Sequence, residues 1–224
     1  MRPLNLVDAT VEREGLIAVI RIVDVALAVD AALVLADAGI TVLEFSLATS
    51  PVSVIKATID QVDENTVVGA GTVLTVSEAE KARDAGASIL ISPNLDLAVV
   101  DWAAKAGILH LPGVFSPTEA LLARSAGAPM MKLFPAGLLG PRYIRELLAP
   151  APDLRLVPTG GVNLDNLAQF LSAGAVAAGV GSALINSESA RNLTALRDNA
   201  IRFRNIAEAV KTRDEIGEGS EVPQ

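Results

Sequence analysis

The chain alternates short, continuous apolar runs with longer segments in which Ala, Leu and Val recur among charged residues. Runs such as LIAVIR from Leu16 and ILISP from Ile89 leave no position for a solvated face, the pattern of a strand covered on both sides. The segments between them are helix-like, and five end in an Ala-Gly dipeptide, at Gly39, Gly86, Gly107, Gly127 and Gly174. These glycines are 47, 21, 20 and 47 residues apart, so each long gap holds two units of about 23 residues. Each glycine follows a helix-like segment and precedes an apolar run, the place of a left-handed cap. The repeat reads helix, glycine, strand, and it predicts eight strands at residues 16–21, 42–47, 67–73, 89–93, 109–114, 130–134, 154–159 and 177–182.

Eight strands alternating with helices imply parallel pairing, and the count is best met by an α/β fold of the (β/α)8 TIM-barrel type. The first fourteen residues add an amphipathic helix ahead of the first strand. An open doubly wound sheet is the structural alternative, but no Gly-rich fingerprint follows the first strand. Residues 1–211 are expected to form one barrel domain. Residues 212–224 are acidic and Gly-containing, and a disordered tail is expected there.

Composition narrows the function. Apolar residues make up 51% of the chain but aromatic ones only 3%, so small aliphatic side chains must fill the core. A formal charge of -8 and a pI near 4.7 argue against a nucleic-acid partner, which would need a basic face. With no cysteine and one histidine, thiol nucleophiles, disulfides and His-rich metal sites are excluded, and neither a metal nor another cofactor is expected. No apolar run has leader or membrane-spanning character, so a soluble, cytoplasmic protein is expected.

Candidate chemistry then comes from the carboxyl ends of the strands, where barrels place their reactive groups. Lys56, Lys81, Lys105 and Lys211 sit in charged, helix-like segments, whereas Lys132 lies inside MMKLFPAG. Desolvation there disfavours the ammonium and favours a nucleophilic amine, suited to imine formation with a ketone. Glu44, between Leu43 and Phe45 on the second strand, is a carboxylate in an apolar run and needs a partner. Second and sixth strands have matching parity, so Glu44 and Lys132 are expected to meet across one interior layer, the carboxylate moving protons for the amine.

Arg21 ends the first strand and is a candidate for a substrate carboxylate. Thr72, in GAGTVL, offers a hydroxyl. Gly160 and Gly161 end the seventh strand, and Gly181 and Ser182 the eighth, where barrels commonly bind phosphate through backbone N–H groups. Other polar residues read as structural. Asn94 is the expected N-cap of the next helix, FSPTEA is a capping box, Trp102 is core, and His110 is a packed histidine without a dyad partner. Arg142, at a helix start, meets either an anion or solvent.

Together MKLFPAG, LEFSL, GAGTVL, SPN, PTGGV and GVGSAL make the chain, over residues 15–206, resemble the bacterial 2-keto-3-deoxy-6-phosphogluconate aldolases. The resemblance implies Lys132 as the Schiff-base lysine and Glu44 as the general acid/base. It also implies Thr72, Pro93 and Phe134 at the pyruvate end, and Gly160, Gly161, Gly181 and Ser182 at the phosphate. The implied substrate is a phosphorylated 2-keto acid, the products pyruvate and glyceraldehyde 3-phosphate, and the assembly a homotrimer. One position departs from the pattern. Many such aldolases have arginine four residues after the glutamate, and the related 2-keto-3-deoxy-6-phosphogalactonate aldolases usually have asparagine. Here Ala48 stands there, which leaves Arg21 to take over the carboxylate. The galactonate epimer and 4-hydroxy-2-oxoglutarate remain alternative substrates. A phosphosugar isomerase or a non-catalytic sugar-phosphate-binding barrel remains an alternative class.

Overall fold

The computed structural model describes residues 3–216. Helix α1 (Leu4–Glu14) comes first. There follow β1 (Leu16–Ile20), α2 (Val25–Asp37), β2 (Val42–Ser46), α3 (Ser53–Ile59), β3 (Val67–Gly71), α4 (Val76–Asp84), β4 (Ile89–Ile91) and α5 (Leu97–Ala106). The second half holds β5 (Leu109–Leu111), β6 (Gly113–Val114), α6 (Pro117–Ser125), β7 (Met131–Leu133), α7 (Ala136–Leu148), β8 (Leu156–Pro158), α8 (Leu167–Ser172), β9 (Ala178–Val180) and α9 (Leu193–Ile216). Every expected strand segment holds a strand, and the fifth is split into β5 and β6 at Pro112. The five Ala-Gly glycines all have positive φ, from 67° to 100°, the conformation that only glycine adopts without cost at a helix end.

The strands form two sheets rather than the one continuous ring that the eightfold repeat predicts. A curled six-stranded sheet has the order β5-β4-β3-β2-β1-β9, and a three-stranded sheet the order β6-β7-β8. Every pairing in both is parallel. Both seams fall at prolines, which have no N–H to donate to a ladder. Pro112 interrupts the fifth strand, and Pro158 ends β8, which meets β9 by a single bridge from Thr159 to Gly179.

Side chains alternate between two cores. On one face Ile17, Val42, Val67, Ile89, Leu109, Met130, Val157 and Ala177 pack with Val7 and Val11 of α1. On the other the strands meet the helices, whose buried faces are rich in alanine: Ala28, Ala31 and Ala32 on α2, Ala79 and Ala82 on α4, Ala120 and Ala123 on α6. Such small faces let helix and strand backbones approach, and this explains how so few aromatic rings suffice. Arg155 holds α1 in place, with Nη1 2.8 Å from Asp8 and Nη2 2.8 Å from Glu12.

Helix starts follow local chemistry. Thr75–Glu78 and Ser116–Glu119 are reciprocal capping boxes. Asn94 does not cap α5. The cap is Asp96, whose carboxylate accepts from Ala98 N–H at 2.8 Å, because the chain runs on past Asn94, whose carbonyl accepts from Gly113 N–H. Trp102 is half-buried, with the Arg83 guanidinium 5.3 Å from its ring centroid. Arg142 follows a break in α7 at Gly140 and pairs with Glu146 at the surface. Helix α9 continues to Ile216, past the expected start of the tail at 212, because no helix breaker occurs before Gly217. The remainder of that tail, 217–224, lies outside the described residues. Among the described residues no helix is long and apolar enough to cross a membrane.

Candidate active site

Strand β2 turns Val42, Glu44 and Ser46 to one face, and β7 places Lys132 opposite. Both ionisable side chains are buried, Glu44 at 2% and Lys132 at 4% exposure, and Lys132 Nζ stands 3.9 Å from Glu44 Oε1. That is an ion pair too long for a hydrogen bond. The expected meeting of the two strands is therefore present. Strand β3 is cut away to admit the carboxylate: a β-carbon on Gly71 would overlap Glu44 Oε1. Lys132 Nζ also lies 5.2 Å from the centroid of the Phe134 ring, whose face favours a cation. The amine thus meets the Glu44 carboxylate on one side and the face of the Phe134 ring on another.

Thr72 follows β3 with φ 59°, the one non-glycine residue with positive φ among the described residues. For a β-branched side chain this backbone is costly and persists only where its surroundings impose it. Two contacts do so. Thr72 Oγ1 lies 2.9 Å from Ser46 Oγ, and the next carbonyl, Val73, accepts from Ser92 Oγ at 2.5 Å. Ser92 Oγ is in turn 2.9 Å from His110 Nε2. The one Ser92 hydroxyl hydrogen goes to the carbonyl, so Ser92 accepts from His110 Nε2–H. The ring is then neutral, with Nδ1 buried and unpartnered among the described residues. Burial pushes the His110 pKa down to about 4, against the opposing pull of Asp96. His110 is packed as expected, but it does have a partner, Ser92, which sequence spacing did not reveal. Pro93 sits where β4 meets β6: a β-carbon on Gly113 would overlap its carbonyl.

A cavity of about 340 Å³ is lined by Arg21, Thr159, Gly160, Gly161, Asn163, Gly181 and Ser182, among others. Both loops predicted to hold phosphate therefore face one space. Gly160 and Gly161 have φ of 83°, and a side chain on Gly160 would press on the Phe134 ring at 3.0 Å. Among the described residues the backbone N–H groups of Gly161, Val162, Ser182 and Ala183 find no acceptor within the chain. Four such donors and a guanidinium around one cavity have the chemistry that holds an anion. Arg21 belongs to this cavity: a β-carbon on Gly181 would come 2.8 Å from its Nη1. The structure thus brings Arg21 to the glycine loops. Ala48 itself is exposed in the turn after β2.

Sequence reasoning passed over Ser46 and Thr159. Ser46 was legible by parity, two residues after Glu44 on the same face of β2. Thr159 closes β8, where its hydroxyl lies against Gly179.

Comparison with known proteins agrees with this geometry. A probable 2-dehydro-3-deoxy-6-phosphogalactonate aldolase of Rhizobium meliloti (strain 1021) is 40% identical over 152 residues, 67% of this chain and 72% of that protein. A 2-dehydro-3-deoxy-phosphogluconate aldolase of Treponema pallidum (strain Nichols) is 37% identical over 179 residues, 80% and 85% of the two chains. Among solved structures, the KDPG aldolase of Legionella pneumophila, with pyruvate captured at low pH as a covalent carbinolamine intermediate, superposes with a TM-score of 0.77. It is 28% identical, with 90% of this chain and 96% of that one covered. The family described as KDPG and KHG aldolase matches residues 7–197, and the chain belongs to that family of lyases.

Proposed function

We propose that this enzyme is a metal-independent Schiff-base aldolase that cleaves 2-keto-3-deoxy-6-phosphogluconate to pyruvate and glyceraldehyde 3-phosphate. The observation that carries the reading is the buried Lys132–Glu44 pair at 3.9 Å, flanked by the anion cavity of the last two strands. The amine of Lys132 adds to the C2 ketone, and Glu44 supplies and removes the protons by which the carbinolamine loses water. The iminium then draws electrons from the C3–C4 bond. As that bond breaks, the C4 hydroxyl gives up its proton to Glu44 and becomes the aldehyde of glyceraldehyde 3-phosphate. The enamine left on Lys132 regains a proton at C3, and water releases pyruvate. Thr72, Pro93 and Phe134 line the pyruvate end in this reading. Arg21, Gly160, Gly161, Gly181 and Ser182 hold the phosphate.

The galactonate epimer is the second reading, favoured by the 40% identity to the Rhizobium meliloti relative. Treatment with pyruvate and borohydride is expected to leave a reduced pyruvyl adduct on Lys132, and a protein without that adduct overturns the imine mechanism. Steady-state rates with the two C4 epimers side by side then assign the substrate.

We further infer that the two sheets close into one (β/α)8 barrel domain reaching at least to residue 211. In support, Gly113 N–H donates to the Asn94 carbonyl and Val176 N–H to the Leu156 carbonyl across the seams. A cytoplasmic homotrimer completes the reading. The exposed apolar side chains of Phe115, Leu121, Leu122 and Leu138 suit burial between subunits, and a chain without cysteine suits a reducing compartment.

A further inference from the structure

Ser46 is 1% exposed, yet it carries a hydroxyl whose one contact within the described residues is Thr72 Oγ1 at 2.9 Å. Two hydroxyls that meet only each other have two hydrogens and one shared bond, so one O–H must point elsewhere. If Thr72 donated, the Ser46 hydrogen would be left in a buried site with no acceptor among the described residues, and the hydroxyl's desolvation would go uncompensated. If Ser46 donates, the remaining hydrogen belongs to half-buried Thr72 and is free to meet a ligand. The second arrangement wins on that cost alone. The bond it makes also polarises the Thr72 hydroxyl and strengthens it as a donor.

The backbone agrees with this assignment. Thr72 is held at φ 59°, and its carbonyl-side neighbour Val73 is tied to Ser92 and through it to His110. Side chain and following backbone are both held by these contacts, leaving the hydroxyl hydrogen as the free element. The bound keto acid brings a carboxylate beside the negative charge of Glu44, and Ala48 offers it no partner, so a donor held in place is what the site needs there.

We infer that Ser46 is a positioning residue: by donating its buried O–H to Thr72 it turns the Thr72 O–H toward the substrate, as a fixed hydrogen-bond donor to the carboxylate of the 2-keto acid. This rests on the reading that Thr72 lies at the pyruvate end. Ser46 makes no hydrogen bond to Lys132 or Glu44.

The test is a double-mutant cycle read by borohydride trapping across a range of pyruvate concentrations. Thr72→Val is expected to raise the half-saturating pyruvate concentration about tenfold. Ser46→Ala should raise it about fivefold with little change in the maximal trapping rate, and Ser46→Thr, which keeps the hydroxyl, should restore it. In the Thr72→Val background Ser46→Ala should change nothing further. Thermal melts of each variant show whether it is folded, and Ser46→Thr covers a loss of fold in Ser46→Ala. If the two substitutions add independently, Ser46 does not act through Thr72 and the proposal is overturned. A drop in maximal rate at constant half-saturation overturns it too. If Thr72→Val alone leaves half-saturation unchanged, the placement of Thr72 at the pyruvate end falls, and the proposal with it.

Discussion

Glu44 Oε1 occupies the space that a β-carbon on Gly71 would fill, and from that niche it stands 3.9 Å from Lys132 Nζ. The niche sets where this carboxylate, the proposed proton-transfer group, sits. Gly71→Ala is expected to displace the carboxylate rather than unfold the sheet, because the atom it meets is the end of a flexible side chain. Turnover should fall about 100-fold, within the range lost when a general acid/base is removed. Glu44→Gln should lose a similar or larger factor. Pyruvate trapping at saturation should still label Lys132 in both variants, at a reduced rate. Full turnover in Gly71→Ala would show that Glu44 does not act from this position.

Arg21 shares its cavity with Gly160, Gly161, Gly181 and Ser182, and the proposed function puts the phosphate of the substrate there. Arg21→Ala is expected to raise KM for the phosphorylated substrate about 10- to 100-fold, the worth of a hydrogen bond to a charged group. Half-saturation by pyruvate, which has no phosphate, should stay within about twofold, because the loss is confined to the phosphate contact. A pyruvate effect equal to that on the full substrate would return Arg21 to the carboxylate role suggested by sequence.

Much of this was legible in the chain because it depends on local rules. The Ala-Gly repeat marks helix ends that only glycine closes cheaply, and Lys132 and Glu44 stand out as charges in apolar strands. What escaped depends on distances that no spacing encodes. The Ser92–His110 contact bridges adjacent strands whose register is set by pairing, so His110 looked partnerless. The true cap of α5 was missed because Asn94 and Asp96 are both good caps, and only the path of the chain after β4 chooses between them. That Arg21 shares a cavity with the glycine loops escaped because a strand-end position fixes its height in the fold but not its direction.

Arg155 precedes β8 and bridges to Asp8 and Glu12 on α1, both at 2.8 Å. Desolvation acts against its charge, but the hydrogen bonds and charges of Asp8 and Glu12 outweigh it and push its pKa up. Arg155→Ala is expected to loosen α1, whose Val7 and Val11 reach the interior core. The side chain is 27% exposed, so the stability loss should be modest, about 1–2 kcal/mol, or a Tm drop of about 2–8 °C for a chain of this size. Hydrogen exchange should localise the change to residues 4–14, with the amides of β2 and β7 still protected. A Tm within error of the parent would show that the valines alone hold the helix.

His110 gives the fold a defined acid sensitivity. Buried on β5 and donating from Nε2 to Ser92, it has its pKa pushed down from 6.5 to about 4, chiefly by burial. The unfolded chain therefore takes up a proton at a higher pH than the folded one does. The stability that neutral His110 supports is full above about pH 6.5, shrinks as pH falls toward 4, and levels off below that, where the folded ring also protonates. The whole span is worth on the order of 3 kcal/mol. His110→Gln keeps an N–H for Ser92 without a titrating ring. Urea unfolding between pH 7 and pH 4 should show the parent losing about that much more stability than the variant, while carboxylates shared by the two proteins, Asp96 included, contribute to both. Parallel loss in the two proteins would mean that the ring is not held neutral in the fold.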